Sequence, residues 1–470
     1  MAEALLYVTD RRTFEPVQLV ETYSQFRYIK YWQKYGTAKL EIEGRYLSDR
    51  SLELLATGGF GLRVIRIYRD SAGKERQEEF TGYAVRWRYQ EGQSVSIESD
   101  ESQICNEAII LGGIPEGQEL LPVNRIVKRY SADGYAGNAE GDELEDILMS
   151  RARYGTKERI FDARQIQKDK HFEDFKDLIF RQDARPRRTV KLTLGSEINY
   201  ANGRFIIEFR DILGYTADRM VDTTGLADLA LDEKEPAVKH AALLMNRELF
   251  QFGALDGHPT LALRFDEEYG AEEALKIKTR RYRDANLMIS NYQAPDPMMP
   301  DKEIGPQGKL INFQWRWPRL SEAIQEVCEE GNIGITYEPR SQRDSEGALV
   351  RQYIIKFVED RNRYSQFIDE KHNPDRVIIS ESWADREHGI QVGDRVALAL
   401  RISNSPTVNS QLRLQSGLNP DGLGMLCAAK ETTLRPGQRD KVTMSLNQKE
   451  IEASEVFEKL FARIRKEETS

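Results

Sequence analysis

The stretch Tyr83-Ala84-Val85-Arg86-Trp87-Arg88-Tyr89 alternates large apolar residues with small or charged ones. Successive side chains of a β-strand point to opposite faces of its sheet, so this period of two predicts a half-buried strand. Glu91-Gly92 then supplies a turn, and Val95-Ser96-Ile97 alternates again. The sequence therefore predicts a β-hairpin over residues 80–98.

The two arginines of this stretch admit another interpretation. Arg86 and Arg88, interleaved with Trp87 and Tyr89, also match a nucleic-acid platform, in which cations bind phosphates and aromatic rings stack on bases. The strand interpretation is simpler, because one period of two accounts for all four residues. We therefore expect Trp87 and Tyr89 to face a core and both arginines to face water or a neighbouring strand.

The first 112 residues carry further strand signals. Ala38, Leu40 and Ile42 alternate with charged residues, and a short helical segment at 52–56 separates this strand from another near Leu62. Several short strands at this spacing are typical of a small barrel or sandwich. Residues 1–112 are therefore predicted to form an N-terminal β-barrel-like domain.

Residues 113–300 combine glycine-rich connections with amphipathic helices. Asp142 followed by Glu145 predicts a capped helix, and Pro236 predicts the start of a later one. A helix between them is predicted to bury Phe172, Phe175, Leu178 and Ile179. We predict an inserted α+β region over this range.

The segment 293–309 contains four prolines and two glycines and is the strongest boundary signal in the chain. After it, a strand, an apolar-striped helix from Leu320 to Gly331 and the alternating strand Ile333-Gly334-Ile335 form a β-α-β pattern. Residues 301–446 are predicted as a second β-rich domain, and 447–470 as a C-terminal helix. The predicted fold class is α+β and mostly β.

Composition excludes some classes of protein. The chain has 470 residues, of which 40% are apolar, yet no apolar run approaches the roughly 18 residues of a membrane helix. The first residues contain an early acid and few apolar residues, so we expect no signal peptide. The formal net charge is −9, whereas a dedicated nucleic-acid binder usually carries a basic excess to neutralise phosphates.

Residues for nucleophilic or metal chemistry are sparse. Cys105, Cys328 and Cys427 lie far apart, so they form no disulfide framework or zinc ribbon. The five histidines never pair at three- or four-residue spacing. A glycosidase with two carboxylates stays open, because any two acids can meet in the folded chain.

Three short motifs resemble known kinds of binding or catalytic site. The Gly58-Gly59-Phe60-Gly61 loop has the order helix, glycines, strand, whereas a dinucleotide loop needs strand, glycines, helix, so it is predicted to be a turn. The acidic loop 133–143 lacks the oxygen spacing of a calcium-binding EF-hand. Asp385, Glu387 and His388 are interpreted as a surface loop rather than a metal or acid–base cluster. We predict no catalytic, cofactor-binding or metal residues, no cofactor and no enzymatic activity.

Laid in order, these blocks resemble the hub proteins of siphophage tail tips. The likeness covers about residues 1–155 and 311–380, and the order of its motifs carries more weight than any one of them. The matching segments are Tyr23-Ser24, Tyr31-Trp32, Tyr35-Gly36, the strand 38–42, Phe80-Thr81-Gly82, the strand 95–100, Arg125-Ile126-Val127, Gly137-Asn138, the helix 142–149 and the unit 320–337.

The resemblance implies a fold of small β-barrels and a structural role at the distal end of a tail. It implies a homotrimeric ring that adapts a hexameric tail tube to a threefold spike or fibre and gates the passage of DNA during genome ejection. The implied partners are further copies of the chain, the tube or distal tail protein, and the spike or fibre, with DNA only passing through the lumen and no membrane insertion. The implied location is the virion tail tip or baseplate, after assembly in the host cytoplasm.

Two alternatives remain open at this point. One is a hexameric distal tail protein or another baseplate or injection-particle ring. The other is a tail-associated cell-wall or carbohydrate-active enzyme whose acidic residues lie in the middle region. The missing histidine and cysteine chemistry favours an assembly protein over the enzyme.

Overall fold

The structure, a computed structural model, describes residues 3–11, 14–69, 75–92, 95–115, 118, 125–193, 198–221, 235–246, 263–265, 287–290, 310–311, 319–343, 349–359, 361–362, 391–396, 425–438 and 440–447. This part of the chain is α+β and mostly β, with antiparallel pairing in its largest sheet, as the sequence predicts. In the same residues no helix has the length and apolar character that crossing a bilayer requires.

The strands, in chain order, are β1 (Glu3–Asp10), β2 (Pro16–Leu19), β3 (Gln25–Tyr31), β4 (Thr37–Glu43), β5 (Phe60–Arg69), β6 (Glu75–Glu91), β7 (Val95–Asp100), β8 (Glu107–Leu111), β9 (Val127–Ser131), β10 (Glu158–Asp162), β11 (Arg187–Leu192), β12 (Arg204–Asp211), β13 (Glu235–Pro236), β14 (Leu263–Phe265), β15 (Leu287–Ser290), β16 (Leu310–Ile311), β17 (Ile333–Arg343), β18 (Leu349–Glu359), β19 (Arg361–Asn362), β20 (Asp394–Val396), β21 (Met425–Leu434) and β22 (Lys441–Asn447).

The helices are α1 (Asp49–Thr57), α2 (Gly141–Leu148), α3 (Ser150–Tyr154), α4 (Asp169–Asp183), α5 (Ala237–Asn246) and α6 (Leu320–Gly331). Short 3-10 helices occupy Gly44–Tyr46, Ala132–Gly134 and Ile212–Asp218.

One 13-stranded sheet organises the molecule, in the order β19-β20-β21-β3-β4-β12-β6-β5-β1-β2. β7 and β11 extend the sheet from β6, and β22 pairs with β21. The two ends of this path do not pair among the described strands, so the sheet is open and the predicted closed barrel is not confirmed. Strands from the predicted ranges 1–112, 113–300 and 301–446 all contribute to this one sheet, while the domain limits themselves stay predictions.

The predicted hairpin is present as β6 and β7, but β6 changes its buried face. A register shift against β12 leaves Val85 without a partner residue, which is the geometry of a β-bulge. Before the bulge, Tyr83 faces one hydrophobic core, and after it, Trp87 and Tyr89 face another. Residues 78–85 of β6 are all buried, because this half of the strand lies between the two cores.

The first core lies under the large sheet and includes Leu40, Ile42 and Ile207. The second core joins Tyr83 and Val85 to α5, α6 and the hairpin β17–β18, and α5 packs against α6. All four apolar residues predicted to face inward from α6 are buried: Leu320, Ile324, Val327 and Cys328.

The third core belongs to the parallel and antiparallel sheet β10-β8-β9 with α2 and α4. Here two predictions were wrong in detail. α2 begins at Gly141 with Glu140 at its cap position, so Asp142 lies in the first turn instead of capping it. Leu178 of α4 is 49% exposed, while Lys176 is buried beside Phe172 because the inward face of the helix follows residues 172, 176, 179 and 180.

Other predictions lie partly or wholly outside the described residues. These are the linker 293–309, the part after Asn246 of the helix predicted to start at Pro236, the cluster at Asp385, Glu387 and His388, and the C-terminal helix 447–470.

Candidate functional site

Buried ionic side chains gather where the large sheet meets the third core. We name Arg11, Tyr83, Glu101, Lys157, Arg210 and Asp218 the central network. Its first ion pair joins Nη1 of Arg11 to Oε2 of Glu101 at 2.8 Å. Its second joins Nζ of Lys157 to Oδ2 of Asp218 at 2.5 Å. Arg11 follows β1 and Glu101 follows β7, while Lys157 precedes β10 and Asp218 ends the 3-10 helix Ile212–Asp218. Each pair therefore connects segments that are distant in sequence.

Asp218 is the acceptor at the centre of this network. Besides Lys157, Arg210 Nη1 donates to its Oδ1 at 3.0 Å, and the Tyr83 hydroxyl donates to its Oδ2 at 3.1 Å. Burial acts to raise the pKa of Asp218, but Lys157 and Arg210 outweigh burial and lower that pKa. Asp218 is therefore held as a carboxylate.

The other two titratable members respond differently to the same surroundings. Burial raises the pKa of Glu101, and Arg11 only partly opposes this. Burial lowers the pKa of Lys157 to about 8, although the Asp218 carboxylate acts in the opposite direction. Both groups lack direct contact with water, which penalises their charged forms.

Arg11 also contacts the glycine-rich loop Gly58-Gly59-Phe60-Gly61. Its guanidinium donates to the carbonyls of Gly58 at 3.2 Å and Tyr154 at 2.9 Å and lies 4.3 Å from the centre of the Tyr83 ring. Gly58 ends α1 with a φ of 78°, and a Cβ there would lie 2.2 Å from the Tyr154 ring. The loop is a helix cap and turn, and the turn predicted from the sequence is confirmed.

A second group of buried charges fastens β21 to the first strands. We name Lys30, Arg66, Glu78, Lys430 and Asp440 the C-terminal strand network. Lys430 Nζ lies 3.0 Å from Oε2 of Glu78, Lys30 Nζ lies 3.5 Å from Oε1, and Arg66 Nε donates to Asp440 at 2.7 Å. Burial acts to raise the pKa of Glu78, yet Lys430, Lys30 and Arg66 together lower it to about 2.

One pair of carboxylates does meet as the enzyme alternative requires. Glu107 and Glu158 lie directly opposite each other in the parallel ladder of β8 and β10. Burial raises the pKa of Glu107 to about 7, and the neighbouring Glu158 adds to this effect. A raised pKa beside a second carboxylate is the pattern of a general acid and its partner in glycoside hydrolysis.

The surroundings of this pair argue against catalysis. Arg219 Nη2 and Arg129 Nη1 lie 3.3 Å and 3.5 Å from Oε1 of Glu158, and the Met220 backbone N–H donates to its Oε2 at 2.9 Å. Arg151 pairs with Glu107 at 3.2 Å. The side chain of Glu158 is only 1% exposed, so these protein groups leave no room for a substrate at its oxygens.

The cysteines are also unsuited to chemistry. All three are buried, and burial raises the pKa of Cys105 and of Cys427 to about 12 and that of Cys328 further. A thiolate is the nucleophilic form, so these thiols are inert at neutral pH. No cluster of histidine, cysteine and acidic side chains that could hold a metal occurs in the described part of the chain.

Arg86 and Arg88 of β6 pair with an acidic side chain of the neighbouring strand β7. Arg86 Nε donates to Glu98 at 2.7 Å, and Arg88 lies 3.3 Å from the same carboxylate. Trp87 and Tyr89 are buried on the opposite face. This arrangement confirms the strand interpretation over a base-stacking platform.

A groove of about 410 Å³ crosses β3, β4, β12 and β6 on the outer face of the sheet. Its cations are already neutralised: Arg27 pairs with Glu431 at 2.6 Å, and Lys39 with Glu41 at 3.1 Å. Arg210 is held by Asp218. Arg86, the fourth cation of the lining, pairs with Glu98, and the acids Asp100 and Glu208 also line the groove.

Residues that carry the family resemblance lie at a structural junction. The backbone N–H of Trp32 donates to Ala428 of β21, and its carbonyl accepts from Ile335 of β17, both at 2.9 Å. The backbone N–H of Gly36 donates to the Asp211 carboxylate at 2.7 Å. These segments connect the large sheet to the second core.

Comparisons with known proteins find similar solved structures at low sequence identity. No protein-family model matches the chain, and no curated protein matches it. Among solved structures, it is similar to a type VI secretion component of E. coli whose description notes structural similarity to T4 bacteriophage tail proteins gp27 and gp5. That similarity has 7% identity, covers 93% of this chain and 76% of the other, and has a TM-score of 0.30.

Two further similar structures are described as tail proteins. The tail protein from Neisseria meningitidis has 7% identity over 96% of this chain and 98% of its own, with a TM-score of 0.31. The 43 kDa tail protein of a Shewanella oneidensis prophage has 9% identity over 95% and 97%, with a TM-score of 0.30. TM-scores of this size do not establish a common fold.

Proposed function

We propose that this chain is a structural component of a phage-type tail or a related injection particle. Within that class we propose the hub: a homotrimeric ring between a hexameric tube and a threefold spike or fibre, through which DNA passes. The sequence motifs between Tyr23 and Tyr337 follow an order that resembles the order in siphophage tail-tip hubs, and this resemblance is the reason for proposing a hub. The proposed location is the tail tip of the virion.

The observation that supports a structural role is the set of contacts that the buried charges make. In the central and C-terminal strand networks, each buried carboxylate contacts a basic side chain from another part of the chain. Such charges position segments relative to one another, and of the two networks only Arg210 lines the groove on the sheet, where its guanidinium is held by Asp218. This arrangement fits a structural role, whereas a catalyst needs a titratable group that a substrate can reach.

The test counts copies of the chain in purified particles by quantitative mass spectrometry, relative to the tube protein. Three copies per particle are expected for the hub. Six copies would replace it with the hexameric distal ring, and absence from particles would overturn the structural proposal.

A parallel assay tests the proposed absence of catalysis. We expect the purified chain to leave purified cell walls intact. Lytic activity that disappears in Glu107→Gln but persists in a control, Glu53→Gln on the exposed face of α1, would establish the enzyme alternative instead.

A further inference from the structure

The edge strand β11 is exposed in a way that the folded chain does not explain. It pairs antiparallel with β7 over six residues, and no described strand pairs with its other side. All six of its residues are exposed. Its outer backbone N–H and carbonyl groups therefore offer a template for an additional strand.

One face of β11 continues the first core. Val190 lies opposite Ile97, and Leu192 lies opposite Val95, both of which are buried. Paired residues of antiparallel strands share a face, yet Val190 and Leu192 are 53% and 51% exposed. A strand added beside β11 would cover these two side chains with its own apolar residues.

Three of the four remaining residues of β11 are basic, in a protein whose net charge is negative. Arg187 and Lys191 share the opposite face, where Arg187 also pairs with Asp183 at 3.4 Å. Arg188 lies on the face of Val190, and its guanidinium donates to the Ala56 carbonyl of α1. The segment 184–193 contains four basic residues and no acid, while the chain as a whole carries −9. Two β11 edges side by side would bring like charges together, which disfavours a second copy of this strand as the occupant.

We propose that β11 binds an extended acidic segment of a different protein chain by strand addition. The matching segment alternates apolar residues, which cover Val190 and Leu192, with glutamate or aspartate, which face Arg187 and Lys191. Backbone hydrogen bonds supply affinity and the alternation supplies specificity. The same charges repel basic strands and so select the partner. This inference is independent of the proposed tail function.

The test uses a short fluorescent peptide that alternates valine and glutamate, with binding followed by anisotropy at low salt. We expect it to bind the wild-type chain and to bind R187E/K191E about tenfold more weakly. A peptide alternating valine and lysine should show the reverse preference. K441E, the same exchange at an exposed position on β22, should match wild type.

Further measurements separate the competing outcomes. The valine–glutamate peptide N-methylated at every residue should not bind, because strand addition needs its backbone N–H groups. If R187E/K191E does not fold, K191E alone should show the same direction of change. Failure of the unmodified peptide to bind wild type, or equal binding by all folded variants, would overturn the proposal. Self-association in sedimentation velocity that R187E/K191E abolishes would assign the edge to a second copy and overturn it as well.

Discussion

The central network and the C-terminal strand network hold the same balance of charge, three basic and two acidic side chains, but distribute it differently. In the central network the cations divide between Glu101 and Asp218. In the C-terminal strand network, Lys30, Arg66 and Lys430 all approach one carboxylate, Glu78. Convergence lowers the pKa of Glu78 to about 2, whereas Glu101, with one direct ion pair, has a raised pKa. In these two networks the direction of the pKa shift of the buried glutamate follows the number of cations that contact it, and not the total charge of the cluster.

The largest expected effect comes from removing the shared acceptor of the central network. Asp218→Asn keeps the shape of the side chain but leaves Lys157 and Arg210 buried without their carboxylate. We expect the free energy of unfolding to fall by roughly 3–5 kcal/mol, measured by urea denaturation. The control is Glu53→Gln, because Glu53 is 59% exposed and its pairing with Arg50 is at the surface. Equal losses in the two variants would show that the central network is not a stabilising junction.

The second prediction tests convergence on Glu78 through pH. A carboxyl group whose pKa is lowered on folding stabilises the protein above its unfolded pKa, and this stability is lost as pH falls through the folded pKa. With a shift from 4.5 to about 2, Glu78 should contribute about 3 kcal/mol that disappears across that window. The measurement is the difference in unfolding free energy between wild type and Glu78→Gln at a series of pH values.

The matched variant for this titration is Glu431→Gln. Glu431 is 29% exposed and pairs with Arg27 on the outer face, so its difference should change by less than about 1 kcal/mol. A Glu78 difference that is as flat as this control would contradict the convergence of cations on Glu78.

The smallest expected effect sharpens the comparison at alkaline pH. Folding lowers the pKa of Lys157 from 10.5 to about 8, so the native state binds fewer protons than the unfolded state between these values. Stability attributable to Lys157 should therefore rise with pH, by about 1 kcal/mol between about pH 8 and about pH 9. The readout is the difference between wild type and Lys157→Met, with Lys170→Met, at an exposed position of α4, as the control. A difference that stays flat over this range would show that Lys157 remains fully charged in the folded chain.

Local structure was predictable where burial repeats along the chain. The alternation of Ala38, Leu40 and Ile42 predicted β4, and the stripe from Leu320 to Cys328 predicted α6, because each element buries one face. The bulge at Val85 was not predictable, since the large apolar residues from Tyr83 to Tyr89 keep their period of two straight through it. Leu178 was misplaced for a similar reason: Lys176 takes an inward position by pairing with Glu173.

The strand order and the ion networks had no sequence signal. β12 inserts between β4 and β6, and this pairing depends on contacts between strands that a period of two does not specify. Lys157 and Asp218 lie in segments with no motif, and charged residues are exposed in most proteins. Only the folded chain shows that they face each other. The open sheet follows in the same way, because local alternation fits a closed barrel and an open sheet equally well.

The pairing of β21 with β3 has a consequence for the time at which the chain can fold. Arg27 of β3 and Glu431 of β21 are in contact although 404 residues separate them. At a synthesis rate of about 5–20 residues per second, the edge of β3 leaves the ribosome roughly 20–80 s before its neighbour exists. During this interval β3 presents an unpaired edge to every other chain in its surroundings. Completion of the large sheet is therefore a late event in the synthesis of each molecule.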